Sequence, residues 1–174
     1  MESLLLSLAG ILTDPFFICG LFFSGILLHK FFHRKEKLAV LFGFLVLVIL
    51  TSGALSILLK GHFSFERPCA GKAIDCPGDY SFPSSHAMVS FAVFSFLFFL
   101  NGRWQASELI LAFPFIISLS RVIQGVHTVA DISAGALLGT IIGGIYARIH
   151  VFNHSLSEKV FRRANTPAQR PHKK

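Results

Sequence analysis

Three short groups of residues in this 174-residue chain have the types and spacing to do chemistry. Lys60 stands seven residues before Arg67-Pro68. Pro83-Ser84-Ser85-His86 follows, and the stretch "SRVIQGVHTVAD" then supplies Ser120, Arg121, His127 and Asp131. Lys60, Arg67 and Arg121 offer positive charge with no base among them, and the planar guanidinium fork matches phosphate oxygens. His127 and Asp131 are four apart. In a helical segment they would lie one turn apart on one face, where the carboxylate can hold the imidazole in one tautomer. That is the base–orienter arrangement of a nucleophilic histidine. His86 is then free to act as a general acid. Backbone N–H groups around Ser84 to His86, where an apolar run begins, would add a positive helix end that favours an anion. Together these groups describe a phosphoryl-transfer site that needs no metal, and no Cys/His cluster has zinc spacing.

The elements that must position these residues are membrane helices. Hydrophobic residues make up 53% of the chain and charged residues 14%, with 20 phenylalanines and a mean hydropathy of +0.65. A soluble domain carries roughly 25% charged residues, so the composition excludes an ordinary water-soluble domain. Apolar runs approach the ~20 residues that cross a ~30 Å hydrocarbon core. They are Pro15 to Leu28 (with Asp14 as N-cap), Leu38 to Leu59, His86 to Leu100, the short Leu109 to Leu119, and Ile132 to Val151. The opening residues 1–14 read as an interfacial or partial membrane helix, residues 15–151 as the membrane-embedded catalytic domain, and 152–174 as a basic tail. The expected fold is therefore all-α, a polytopic transmembrane bundle of five to six spans.

Charge placement gives an orientation. Lys30, Arg34, Lys35, Lys37, Arg103, Arg148, Lys159, Arg162, Arg163, Arg170, Lys173 and Lys174 fall on one side, twelve of the sixteen basic residues. The positive-inside rule makes that side cytoplasmic. Lys60, Arg67, Lys72 and Arg121 remain on the outer side against the bias, which suggests that some have another task. The net charge of +7 is thus an orientation signal and not a nucleic-acid footprint. Trp104 reads as an interfacial anchor. Cys69 and Cys76 lie in the outward loop, where an oxidising compartment permits a disulfide; Cys19 reads as packing. Taken singly, each site residue has an ordinary explanation. Asp131 and Ser84 could be N-caps, an arginine at a span end snorkels to headgroups, and His29, His33, His62, His150, His154 and His172 read as interfacial groups.

In order along the chain, Lys60-x6-Arg67-Pro68, Pro83-Ser84-Ser85-His86 and Ser120-Arg121-x5-His127-x3-Asp131 resemble the three-part signature of the type 2 phosphatidic acid phosphatase (PAP2) superfamily, over roughly Leu38 to Ala147. The resemblance implies that His127 attacks phosphorus and forms a phosphohistidine, that Asp131 orients it, and that His86 protonates the leaving oxygen. It also implies that Lys60, Arg67, Ser84, Ser85 and Arg121 hold the phosphoryl oxygens, with no cofactor and no obligate protein partner. Ser85 stands where the family usually has glycine. A position needing positive φ would strain serine; one that offers only a backbone N–H would not, and the second is expected. The implied activity is a lipid phosphatase in the cytoplasmic (inner) membrane, its site facing outward. Candidate substrates are undecaprenyl diphosphate, lipid A 1-phosphate, phosphatidylglycerophosphate and phosphatidic acid. A lipid phosphotransferase using the same phosphohistidine, or a non-catalytic lipid-phosphate binder or transporter, is the alternative. A haloperoxidase fits poorly, since those relatives are soluble.

Overall fold

The computed structural model describes residues 38–71, 76–101 and 107–165, and among them there is helix and connecting loop but no strand. Four helices succeed one another: α1, Leu38–Phe63; α2, Ser85–Asn101; α3, Ser107–Ile123; and α4, Val129–Asn165. They match the four apolar runs read after residue 37, each extended at one or both ends. The expected helix over 1–14 and the span from Pro15 to Leu28 lie outside the described residues. So do Cys19, Arg103, Trp104, Lys72 and the end of the tail. α4 runs unbroken past residue 151, so the chain leaves the apolar segment as continuous helix.

Two stretches, Ala39–Phe63 and Val129–Ser157, are long and apolar enough to cross a membrane. Only 28% and 22% of their most apolar windows are buried inside the protein. The central helix of a soluble protein would be covered; here Leu50, Ile57, Leu58, Leu137, Ile141 and Ile145 stand exposed. Exposed apolar surface on this scale marks a partner or a lipid surface.

The bundle is organised by α2 lying directly on α4. Gly135, Gly139 and Gly143 are spaced four apart and so share one face of α4. A Cβ at Gly135 would meet Ser84 O at 2.6 Å, and Cβ atoms at Gly139 and Gly143 would drive into the carbonyls of Met88 and Ala92. The two backbones thus approach along two turns, as small residues allow between membrane helices. α1 closes the other side. Leu41, Leu45 and Val48 pack with Ala92, Val93, Phe96, Leu97 and Ala147 in one core cluster, and Phe44 stacks on Phe96 with centroids 6.2 Å apart. His150 is not the interfacial group its sequence position suggests. It is buried, its ring edge-on to Phe44 at 4.9 Å and to Phe96 at 6.1 Å, because α4 continues the same inward face.

Hydroxyls on α1 are satisfied within the helix, as lipid surroundings require. Ser52 Oγ donates to Val48 O at 2.6 Å and Thr51 Oγ1 to Leu47 O at 2.6 Å.

The seam makes a stability prediction. Gly139→Ala overpacks a close backbone approach and should lower thermal stability in detergent by about 1–3 kcal/mol. Gly53→Ala, where nothing lies within 4 Å of the added carbon, should leave stability unchanged or raise it by up to about 1 kcal/mol through helix propensity. Equal effects in thermal unfolding of the two variants would refute the seam.

Candidate active site

The four helices place their polar ends together. Lys60 is in the last turn of α1. Ser64, in a left-handed conformation at φ 50°, then ends the helix, its N–H bonding Lys60 O at 2.9 Å. The loop beyond carries Arg67 and closes on itself through a Cys69–Cys76 disulfide and a Ser81 N–H to Phe65 O bond of 2.8 Å. This disulfide was one of the sequence's open alternatives.

Ser84 precedes the first residue of α2, and its N–H donates to Asp131 O at 3.1 Å, so the starts of α2 and α4 are tied backbone to backbone. Its side chain does not cap the helix: Ser84 Oγ is buried without a hydrogen-bond partner. Ser85 is not among the described residues with positive φ, so its side chain is not strained there. Its hydroxyl accepts from Ser56 Oγ of α1 at 2.9 Å.

Arg121 is not in a loop, as the apolar pattern suggests, but in the last turn of α3. Its Nη1 donates to Gln124 Oε1 at 2.7 Å, while its buried Nε has no partner. Gly125, at φ 71°, then reverses the chain, and the N–H groups of Val126 and His127 both reach Arg121 O.

The condition that one helix carry both His127 and Asp131 is not met. His127 lies in the loop before α4, which begins only at Val129. Thr128 is the N-cap: Asp131 N–H donates to Thr128 Oγ1 at 3.2 Å, and Thr128 N–H donates back to Asp131 Oδ2 at 2.7 Å. This reciprocal cap turns Asp131 toward the loop. The pair still meets, with His127 Nδ1 at 3.5 Å from Asp131 Oδ2, both groups buried.

Ser81 completes the contact. Its hydroxyl donates to Asp131 Oδ2 and lies 3.5 Å from His127 Nδ1. On the other side of the ring, Arg67 Nη1 is 3.2 Å from Nε2. A guanidinium only donates, so Nε2 accepts and the ring proton sits on Nδ1, facing Ser81 and Asp131. Burial, then the charges of Arg67, Lys60 and Arg121, push the His127 pKa down from 6.5 against the opposing pull of Asp131. The ring is neutral, its Nε2 lone pair turned toward the cations.

Lys60 and Arg67 are buried and share one carboxylate. Asp79 Oδ2 is 2.7 Å from Lys60 Nζ, and Asp79 Oδ1 pairs with Arg67 Nη2. Backbone oxygens help: Arg67 also donates to Asp79 O at 2.8 Å and Val126 O at 3.0 Å, and Lys60 to Tyr80 O. Partial burial would raise the Asp79 carboxyl, but hydrogen bonds from Lys60 and Arg67 and their charges outweigh it and hold it at about 2. His86, half-buried in the first turn of α2, is within electrostatic reach of Arg121, Lys60, Arg67 and Asp79.

All eight residues singled out from the sequence therefore gather where the helix ends meet. Sequence reasoning passes over Ser81 and Asp79, which carry no distinguishing pattern in the loop "CPGDYSFPSSH".

Two measurements follow. A folded pKa below the unfolded value means that the unfolded state takes up the proton first. The neutral His127 thus contributes stability that is complete above pH 6.5 and lost as pH falls through the lower folded value. Ring-nitrogen NMR should find His127 neutral and Nδ1-protonated at pH 6; an imidazolium titrating at 6.5 or above would contradict the geometry. Ser81→Ala should lower kcat by up to about 10²-fold, through misplacement of the ring, with little change in KM.

The sequence model of the PAP2 superfamily matches residues 40–155. The chain is 32% identical over 110 residues to the bacitracin transport permease protein BcrC of Bacillus licheniformis, covering 62% of this chain and 53% of that one. It is 31% identical over 147 residues to lipid phosphate phosphatase gamma of Arabidopsis thaliana, covering 78% and 62%. The chain thus spans little more than half the length of these curated relatives. Its fold is similar to the crystal structure of a transmembrane PAP2-type phosphatidylglycerolphosphate phosphatase from Bacillus subtilis, with a TM-score of 0.61 and 19% identity over 97% of this chain and 79% of the other.

Proposed function

The chain belongs to the PAP2 superfamily, and on that premise we propose that it is a lipid phosphatase acting through a phosphohistidine on a phosphate or diphosphate at the membrane surface. One observation carries the reading. Only three buried side-chain polar atoms among the described residues lack a hydrogen-bond partner, and two of them, Ser84 Oγ and Arg121 Nε, belong to the cation cluster around His127. An unpartnered buried donor is costly. A phosphoryl group, with several strong acceptor oxygens, suits both, and it would also draw on Lys60, Arg67 and the first N–H groups of α2, Ser85 among them.

In this mechanism, a phosphoryl oxygen accepting from Arg67 Nη1 leaves Nε2 of His127 free to attack. The P–Nε2 bond forms as the bond from phosphorus to the leaving oxygen breaks, and His86 delivers a proton to that oxygen. Ser81 and Asp131 stabilise the Nδ1–H side as the ring becomes positive. Water, its proton taken by His86, then attacks phosphorus. The P–N bond breaks, inorganic phosphate leaves and His127 returns to neutral. The cations stabilise the charge of both transition states, so no metal is required.

Substrates on this reading are lipids whose phosphate lies at headgroup depth: undecaprenyl diphosphate, lipid A 1-phosphate, phosphatidylglycerophosphate or phosphatidic acid. The relatives' names support the lipid phosphate class. Orientation by basic residues puts the site on the outer face of the cytoplasmic membrane and the C-terminus inside.

Phosphate release from these four lipids by the purified protein in detergent, with EDTA present, tests the proposal. Release from at least one, abolished in His127→Ala with binding retained, is expected. Transfer of phosphate to another lipid without release would indicate a phosphotransferase. Activity lost on chelation and restored by Mg²⁺ or Zn²⁺ would overturn the metal-free mechanism.

A further inference from the structure

We propose that Asp79 is a specificity-determining residue of this site, an internal anion seated on Lys60 and Arg67 that an incoming phosphoryl group must displace. The inference rests on the phosphate-binding reading above and extends it to a residue outside the three signature segments.

The geometry is that of a bound anion. A carboxylate presents two oxygens in a plane, and here one lies 2.7 Å from Lys60 Nζ while the other pairs with Arg67 Nη2. These are donors that a phosphoryl group in the cradle would use. The exposures differ sharply: the side chains of Lys60 and Arg67 are 6% and 5% exposed and that of Asp79 is 55%. The carboxylate therefore covers buried cations from the solvent side.

Its displacement does not require the loop to move. The backbone at 79–80 is held independently, by Arg67 Nε on Asp79 O at 2.8 Å and by Lys60 Nζ on Tyr80 O. Ser81 N–H bonds Phe65 O next to it, and the Cys69–Cys76 disulfide closes the loop upstream. Rotation about the Asp79 side-chain torsions suffices to clear both cations while their backbone acceptors stay in place.

Charge says what the clasp selects. The site's cations are Lys60, Arg67 and Arg121 and its carboxylates Asp79 and Asp131, leaving one net positive charge with the clasp closed and two with it turned aside. A dianionic phosphate monoester or a terminal diphosphate matches the opened site. A singly charged phosphodiester, the commonest phosphate on a membrane surface, gains less from the same cations and leaves Asp79 in place. The residue thus guards a phosphatase against the headgroups of the surrounding bilayer, and it also opposes retention of released phosphate.

The test reads binding and needs no turnover. The full-length protein in detergent is titrated with inorganic phosphate and, separately, dimethyl phosphate by ³¹P NMR, comparing wild type with Asp79→Asn, Asp79→Ser and Asp79→Glu. Removing a part-exposed competitor should tighten inorganic phosphate by about 5-fold in both the Asn and Ser variants. Dimethyl phosphate, which does not displace the carboxylate in wild type, should gain more, and an equal gain would overturn the selective role; Asp79→Glu should stay within about 2-fold of wild type because a carboxylate still reaches the cations. Unchanged or weaker phosphate binding in the folded Asn and Ser variants would overturn the proposal and make Asp79 a support for the cations. Absence of phosphate binding in every form would overturn the cradle itself, and would do so separately from any failure of lipid hydrolysis.

Discussion

The contact between α2 and α4 through Gly135, Gly139 and Gly143 is the constraint on which the site depends. Side-chain packing between two membrane helices tolerates some sliding, because lipid tails are as apolar as the residues they compete with. Backbone against backbone tolerates far less, since each glycine faces a particular carbonyl, of Ser84, Met88 and Ala92 in turn. The register so fixed carries to the helix starts, where Ser84 N–H meets Asp131 O. The start of α2 and the carboxylate that faces His127 are thereby placed relative to each other by main-chain geometry.

The cations raise a different difficulty. Burying a lysine and two arginines at one point is unfavourable unless each finds oxygen acceptors. The protein meets this mainly with carbonyls from the two loops: Val126 O and Asp79 O for Arg67, Tyr80 O for Lys60, and the side-chain oxygen of Gln124 for Arg121. Carbonyl dipoles fix a cation's position without cancelling its charge. The cluster therefore keeps a positive potential, and its carboxylates modulate it.

Much of this was legible in the sequence because the chemistry is written in residue type. The apolar runs gave the four described helices, and Lys60, Arg67, Ser84, Ser85, His86, Arg121, His127 and Asp131 could be named before any geometry. What escaped is local and conformational. The i, i+4 spacing of His127 and Asp131 suggested a helical face, yet a Thr cap three residues before Asp131 stops the helix short of His127 and reaches nearly the same distance by a loop. Arg121 looked like loop because a charge ended the apolar run, although a helix readily takes a cation in its last turn. Ser81 and Asp79 have no spacing signal at all. Their roles exist only because the Ser81–Phe65 bond and the disulfide fold a loop back over the cations, and such long-range closure has no periodicity to read.

Ser85 shows how such a site accommodates change. The family pattern has glycine there, and a serine would be excluded if the backbone were left-handed. The helix instead begins at this residue with ordinary dihedrals, so the glycine is not required for its conformation. The added hydroxyl points toward α1 and takes the Ser56 hydrogen at 2.9 Å, while Ser56 Oγ also lies 2.9 Å from Gly53 O. This polar tie sits one turn before Lys60 and joins the helix carrying that cation to the helix that begins beside Asp131. The serine thus keeps the backbone N–H at the start of α2 and uses its side chain to hold α1 and α2 together beside the site.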